Sequence, residues 1–189
     1  SAKLKMKNAG LKDKRCIIIS ALGSNDLKTY PLQYMAQILD QIVNETTATL
    51  ILNYMPAQQH KIKTLINHCS QETQSKIVTD VDIKSLRDFM GVCQQCQAII
   101  GNEGGAINIA KALDVPSFSI FSPWIIKEGW NSFEDNYPNT SVHISDFEDD
   151  WFKNNKVKAL KDKVKEHYKK LKPELFKNQL QDFLKTYIG

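Results

Sequence analysis

The stretch Gly101-Asn-Glu-Gly-Gly-Ala-Ile-Asn-Ile-Ala-Lys-Ala-Leu-Asp-Val-Pro116 joins an apolar run, Ala98 to Ile100, to a helical stripe of Ala106, Ile109, Ala110 and Leu113. This is the pattern of a buried strand turning into an amphipathic helix. Gly104 and Gly105 let the backbone at that turn approach a ligand closely. A helix starting there aims unpaired N–H groups and its positive dipole end at the turn, which suits a phosphate without any lysine. Glu103 beside it can accept hydrogen bonds from sugar hydroxyls. Taken alone, a Gly-Gly pair is more often a tight βα turn with no ligand.

Outward from this turn the same alternation recurs. Apolar runs at Cys16 to Ile19, Leu50 to Leu52, Ile77 to Val78, Phe118 to Phe121 and Val142 to Ile144 read as strands. Several are continuous rather than alternating, as in strands covered on both faces. Between them lie stripes at helical spacing: Leu32, Met35, Ala36, Leu39; Ile62, Leu65, Ile66, Cys69; and Leu86, Phe89, Met90, Cys93. Pro31 suits a first helical turn, and Ser85 with Asp88 resembles a capping box. The expected fold is α/β, a Rossmann-like open parallel sheet with helices on both faces, plus C-terminal amphipathic helices. Ligands in such sheets bind at the carboxyl ends of the strands, so the loops after the first, second and fourth strands are the candidate site.

Three regions follow. Residues 1–14 are polar without apolar periodicity and read as a linker or the cut edge of a longer chain, with an upstream domain missing. Residues 15–145 form the Rossmann-like domain, and residues 146–189 a helical extension of it. In that extension Val157, Leu160, Val164, Tyr168 and Leu171 mark one amphipathic stretch, Pro173 interrupts it, and Phe176, Leu180, Phe183, Leu184 and Tyr187 mark a last helix.

The composition limits the function classes. With 189 residues, 42% apolar and 24% charged, the chain can bury one sizeable core but is short for two full domains. No apolar run approaches the roughly 20 residues of a membrane-spanning helix, and no signal-peptide core follows the N-terminal lysines. A soluble, cytoplasmic protein is expected. The four cysteines, Cys16, Cys69, Cys93 and Cys96, do not form a secreted disulfide framework. Cys93 and Cys96 have the spacing of a metal or redox pair, but no second pair completes a zinc site, and they precede a strand rather than follow one. A structural role and no metal are expected. The net charge is only +4, but the lysines cluster near the start and more densely in a helix from Lys153 to Lys172, which reads as a solvated face or as a rest on an anionic membrane surface. Nucleic acid is a poor partner, because no aromatic residues interleave with the basic run.

The run Gly101 to Pro116 also resembles the signature of glycosyltransferase family 9, the heptosyltransferases, whose C-terminal domains carry Asn-Asp-Ser/Thr-Gly-Pro-Met-His-Leu-Ala-x-Ala-Leu-Gly-x-Pro. Matched from its Ala-Lys-Ala-Leu-Asp-Val-Pro end, Asn102 keeps the Asn, Glu103 stands for the Asp, Gly104 for Ser/Thr, Gly105 keeps the Gly, and Asn108 stands for the His. Ser122-Pro123 resembles the family's Gly-Pro after the next strand. The loop Ser20 to Pro31 is similar to the family's Gly-Ala-Ser…Lys-x-Trp-Pro segment, with Lys28 on the phosphate-contacting lysine and Ser24 among its small hydroxyl residues. Gln58 lies where the family places a glutamate that reaches the donor ribose.

The resemblance covers Cys16 to Trp124. It implies the C-terminal half of a two-domain GT-B transferase that works on cell-surface glycans such as lipopolysaccharide, at the inner face of the membrane. That half binds a nucleotide diphosphate sugar, uses no metal or other cofactor, and inverts the anomeric centre. The implied donor-binding residues are Ser24, Lys28, Gln58, Glu103, Gly104, Gly105 and Asn108. The acceptor site and the general base belong to the missing N-terminal domain, so no catalytic residue is expected in this chain. The C-terminal helices are expected to pack against that missing domain. A reading from another class is a non-catalytic nucleotide-binding α/β module, since a fold does not fix a function.

Overall fold

The computed structural model describes residues 1–129 and 138–189. Its elements in chain order are α1 (Ala2–Asn8), β1 (Cys16–Ser20), α2 (Leu32–Glu45), β2 (Thr49–Leu52), α3 (Gln59–His68), α4 (Gln71–Lys76), β3 (Ile77–Val78), α5 (Leu86–Cys93), β4 (Ala98–Asn102), α6 (Gly105–Ala112), β5 (Ser117–Ile120), β6 (Asn139–Val142), α7 (Trp151–Asn154), α8 (Val157–Asp162), α9 (Val164–Tyr168) and α10 (Lys177–Tyr187). The strands form one six-stranded sheet in the order β3-β2-β1-β4-β5-β6. Every pairing is parallel. The order reverses between β1 and β4, which leaves a crevice at their carboxyl ends where helices run off to opposite faces.

The continuous apolar strands are explained by two cores, one on each face. Alternate residues of a strand point to opposite sides. Ile17 and Ile19 of β1 and Ile100 of β4 therefore join the core under α2, α3 and α10. Cys16, Ile18 and Ile99 join the core under α1, α5 and α6. The stripes read from the sequence supply much of the other half of each contact: Met35, Ala36, Leu39, Ile62 and Leu65 on one side, Phe89, Cys93 and Ala110 on the other. On α6 the buried partner of Ala110 is Ile107, outside the expected stripe, while Ala106, Ile109 and Leu113 are only partly buried, and on α5 Leu86 and Met90 are exposed. Ser85 caps α5 as expected by accepting from the Asp88 N–H at 3.1 Å. The Asp88 carboxylate returns to the Lys84 N–H at 3.1 Å rather than to that of Ser85.

Three expectations are corrected. Residues 1–14 are not a bare linker. Ser1 caps α1, Met6 and Leu11 are buried in the second core, and Lys5 pairs with Asp82 and Asp88 at 3.1 and 3.4 Å. Two apolar side chains anchor this segment, too few to show a period. The single lysine-rich helix is divided into α7, α8 and α9, with breaks at Asn155 and Lys163. Nor do the C-terminal helices wait for another domain to bury their apolar stripes: Leu160, Val164, Tyr168, Leu171, Phe176, Leu180, Phe183 and Leu184 all enter the first core of this domain. Phe118 of β5 stacks edge-on with Phe183 at 5.6 Å and lies 6.1 Å from Phe176. A β5–β6 edge left bare by α2 and α3 is thus covered by the extension.

His143, just after β6, is fully buried and stacks on Phe152 at 5.5 Å. Its Nδ1 accepts from the Ser145 N–H at 3.0 Å. Burial lowers its pKa, with the Asp146 carboxylate opposing. The neutral ring is therefore the folded form, and the unfolded chain binds a proton that the fold resists. Stability should be full above the ordinary imidazole pKa of about 6.5 and fall in the window below it, down to the lowered folded-state pKa. Comparing thermal unfolding across that window, His143→Gln is expected to show a smaller fall than the parent chain. An equal fall would remove His143 from the account.

Candidate functional site

The carboxyl ends of β1, β2 and β4 enclose a cleft of about 370 Å³. It is built by three loops, each fixed by its own chemistry. After β1, the chain passes through buried Gly23 into a 3-10 turn at Asp26–Lys28. The Asn25 side chain accepts from the Leu27 N–H at 3.0 Å. Thr29 Oγ1 accepts from the Gly23 N–H at 3.1 Å and donates to the Asn25 carbonyl at 2.8 Å. A Cβ at Gly23 would collide with the Lys28 backbone carbonyl, so only glycine closes this loop. From β5, Ser122 Oγ and Trp124 Nε1 both donate to the Leu27 carbonyl, at 2.6 and 3.1 Å. Lys28 is thus carried on a loop with little freedom.

The loop after β2 brings Gln58. Its amide oxygen accepts from the Met55 N–H at 2.9 Å and its amide nitrogen donates to the Gly23 carbonyl at 3.2 Å. Gln58 therefore ties the second loop to the first, and lines the cleft while doing so.

The loop after β4 carries the motif. Asn102 is fully buried. Its side-chain oxygen accepts from the Tyr30 N–H at 2.6 Å, and its nitrogen donates to the Ser20 and Ala21 carbonyls at 3.0 and 2.9 Å. It pins the β1 loop to β4 and does not face a ligand. Gly104 has φ +149°, a value that L side chains rarely adopt, and the space beside Gly104 and Gly105 is open. No side chain caps α6. Its first-turn amides thus lack both intrahelical and side-chain acceptors, which is the anion-binding end of a helix.

Lys28 and Glu103 meet in this cleft, with Nζ 3.3 Å from Oε1. Glu103 is 8% exposed and its Oε1 has no hydrogen bond of good geometry, so the contact is an ion pair and leaves acceptor capacity on the carboxylate. Trp124 lies beneath two cations, Lys28 Nζ at 5.8 Å and Lys161 Nζ at 4.5 Å from its ring centre. Such contacts place positive charge over the negative ring face.

Of the residues singled out in the sequence, Ser24, Lys28, Gln58, Glu103, Gly104 and Gly105 line this one cleft. Asn108 does not: it is exposed one helical turn along α6 and is absent from the lining. Ser20, Leu22, Gly23 and Ala106, from within the matched segments, also line it, as do Asn53, Tyr54 and Met55, which sequence reasoning missed. Their signal was faint, because a loop residue without a matching motif has no period to betray it. All four cysteines are buried thiols, and burial pushes Cys93 up to about 11 and Cys69 up to about 12. Unreactive packing groups are what that chemistry describes. Among the described residues no cluster of three or more metal-ligating side chains occurs, and no helix is long and apolar enough to cross a membrane.

The fold is that of a parallel-sheet domain of the GT-B type, with this cleft at its topological switch point. A profile of glycosyltransferase family 9 (heptosyltransferase) matches residues 1–147, and the chain belongs to that family. Among solved structures it is similar to the E. coli ADP-heptose LPS heptosyltransferase II, with 15% identity and a TM-score of 0.62 over 75% of this chain and 42% of that one. It is also similar to a family 9 glycosyltransferase from Veillonella parvula, with 14% identity and a TM-score of 0.64 over 95% of this chain and 50% of that one. The E. coli heptosyltransferase WaaC with ADP matches at 13% identity and a TM-score of 0.55, over 75% of this chain and 42% of that one. At these identities the likeness is one of fold. The chain spans about half the length of the structures it matches. No curated protein matches it significantly in sequence.

Proposed function

We propose that this chain is the donor-binding, C-terminal half of a two-domain inverting glycosyltransferase, and that the cleft at β1, β2 and β4 holds a nucleotide diphosphate sugar. The observation that carries this reading is the convergence of Ser24, Lys28, Gln58, Glu103, Gly104 and Gly105, drawn from three separate loops, on one cleft at the switch point. The ADP held by WaaC makes ADP the first nucleotide to try.

In this reading the diphosphate sits on the amides opening α6 and on Lys28, which stabilise the leaving group as charge develops on it. Glu103 directs its unused acceptor capacity at sugar hydroxyls. Asn108, a turn away, is left without a place at the sugar. The acceptor and general base come from a facing domain, because inversion needs both on the side opposite the diphosphate. No metal is called for. The setting is the cytoplasmic side of a membrane, where cell-surface glycans such as lipopolysaccharide are extended.

Lys28→Ala is expected to weaken ADP binding by about 1.5 to 3 kcal/mol, the range for hydrogen bonds to charged groups. Because the substitution also leaves the Glu103 carboxylate buried without its cation, Lys28→Ala/Glu103→Gln is the control for folding. Calorimetry showing equal affinity in parent and variant would remove Lys28 from the phosphate site.

A further inference from the structure

On the other side of the Asp26–Lys28 turn lies a second cleft, of about 390 Å³, between the start of α2, α3 and α9. Its walls are Tyr30, Pro31, Leu32, Tyr34 and Tyr168. The hydroxyls of Tyr30 and Tyr34 are already spent on the Leu171 and Lys169 carbonyls, and with Tyr30 and Tyr168 buried it is half-buried Pro31, Leu32 and Tyr34 that offer the cleft its apolar surface. Its rim is cationic, with Lys61, Lys165 and Lys169, and Asp26 is the one acid in the lining. Asp26 is paired with Lys61. Among the described residues Lys165 and Lys169 have no ion-pair partner, and both are exposed. Lys161, on the preceding helix α8, lies over the Trp124 ring. An apolar floor under an excess of positive charge is complementary to one kind of ligand, an apolar chain that ends in a phosphate.

We infer that this lysine-rimmed cleft is a docking site for an anionic lipid at a bilayer surface, the chain lying against Pro31, Leu32 and Tyr34 and the phosphate between Lys165 and Lys169. Tyr168, Lys165 and Lys169 lie beyond residues 1–147, the part that the family profile matches. The site is therefore assembled by the C-terminal extension packing back on the Rossmann-like sheet. Free phosphate would gain nothing from the apolar floor, and a neutral chain nothing from the rim. Docking here would hold the donor cleft, which shares the Asp26–Lys28 turn, beside the membrane. The inference goes beyond the donor-site proposal and stands or falls without it, since vesicle binding needs no nucleotide.

The test is sedimentation of the chain with phosphatidylcholine vesicles and with vesicles that also contain phosphatidylglycerol. Binding is expected only to the anionic vesicles. Lys165→Gln/Lys169→Gln should weaken it about 10- to 30-fold, as expected from the loss of two lysines at an anionic surface. Lys156→Gln/Lys158→Gln, which removes two exposed lysines outside the cleft, should change it little. Tyr34→Ser should weaken it several-fold with every lysine in place, and Leu32→Ser substitutes for it if Tyr34→Ser does not fold. Absence of binding to anionic vesicles overturns the inference. So does an equal loss in the two lysine pairs, which would mean diffuse attraction, or full binding by the tyrosine or leucine variant, which would mean that the apolar floor takes no part.

Discussion

Asn102→Ala is expected to lower the unfolding free energy by about 2 to 5 kcal/mol, from three hydrogen bonds whose buried partners would be left unmet. The Tyr30 N–H, the Ser20 carbonyl and the Ala21 carbonyl all bond to this one side chain, and both Asn102 and Tyr30 are fully buried. The loss should also reach the site, because those bonds fix both ends of the loop that carries Lys28. Urea denaturation measures the first effect, and Asn102→Asp sharpens it. Aspartate keeps the acceptor for Tyr30 but turns an anion towards two carbonyls, so it should be no better than alanine. A change below about 0.5 kcal/mol for Asn102→Ala, the size of an ordinary surface substitution, would show that the loop is held by something else.

Gly101→Ala should cost a similar amount or more. Gly101 lies at φ +139°, and a Cβ there would strike the Ser20 backbone carbonyl on the neighbouring strand. A strained backbone costs about 1 to 3 kcal/mol and overpacking about 1 to 3 more. Relief would require β1 and β4 to separate at Ser20↔Gly101, the last rung of their ladder, where the crevice opens. Against a total stability of about 5 to 15 kcal/mol such a change is large. A soluble Gly101→Ala variant with an unchanged melting temperature would contradict the close approach of these strands.

These two residues show what the sequence did and did not make legible. The run Ala98 to Pro116 announced a strand, a turn and a helix because apolar period and glycine placement agree there. Asn102 was visible as a motif residue, yet its task of bonding across to β1 depends on a strand more than eighty residues away, and no local pattern carries that. Gly101 was read as lying just past a strand that ended at Ile100, whereas β4 runs on to Asn102, and its need for a positive φ came from the neighbour it touches. Asn108 was placed near the ligand by alignment, whereas each helical residue advances about 1.5 Å and turns through about 100°, enough to carry it out of the cleft. The extension was read correctly as amphipathic. What its apolar face meets, the β5 side of the sheet, is a tertiary fact that periodicity does not contain.

The central claim is that the cleft at β1, β2 and β4 is a nucleotide diphosphate site. Titration of the isotopically labelled chain with ADP, followed by amide NMR shifts, tests it most directly. Saturable shifts clustered at Gly23 to Lys28 and at Glu103 to Ala106 are the predicted result. No saturable response to ADP or to other nucleoside diphosphates, or shifts confined to residues outside these two loops, would contradict it.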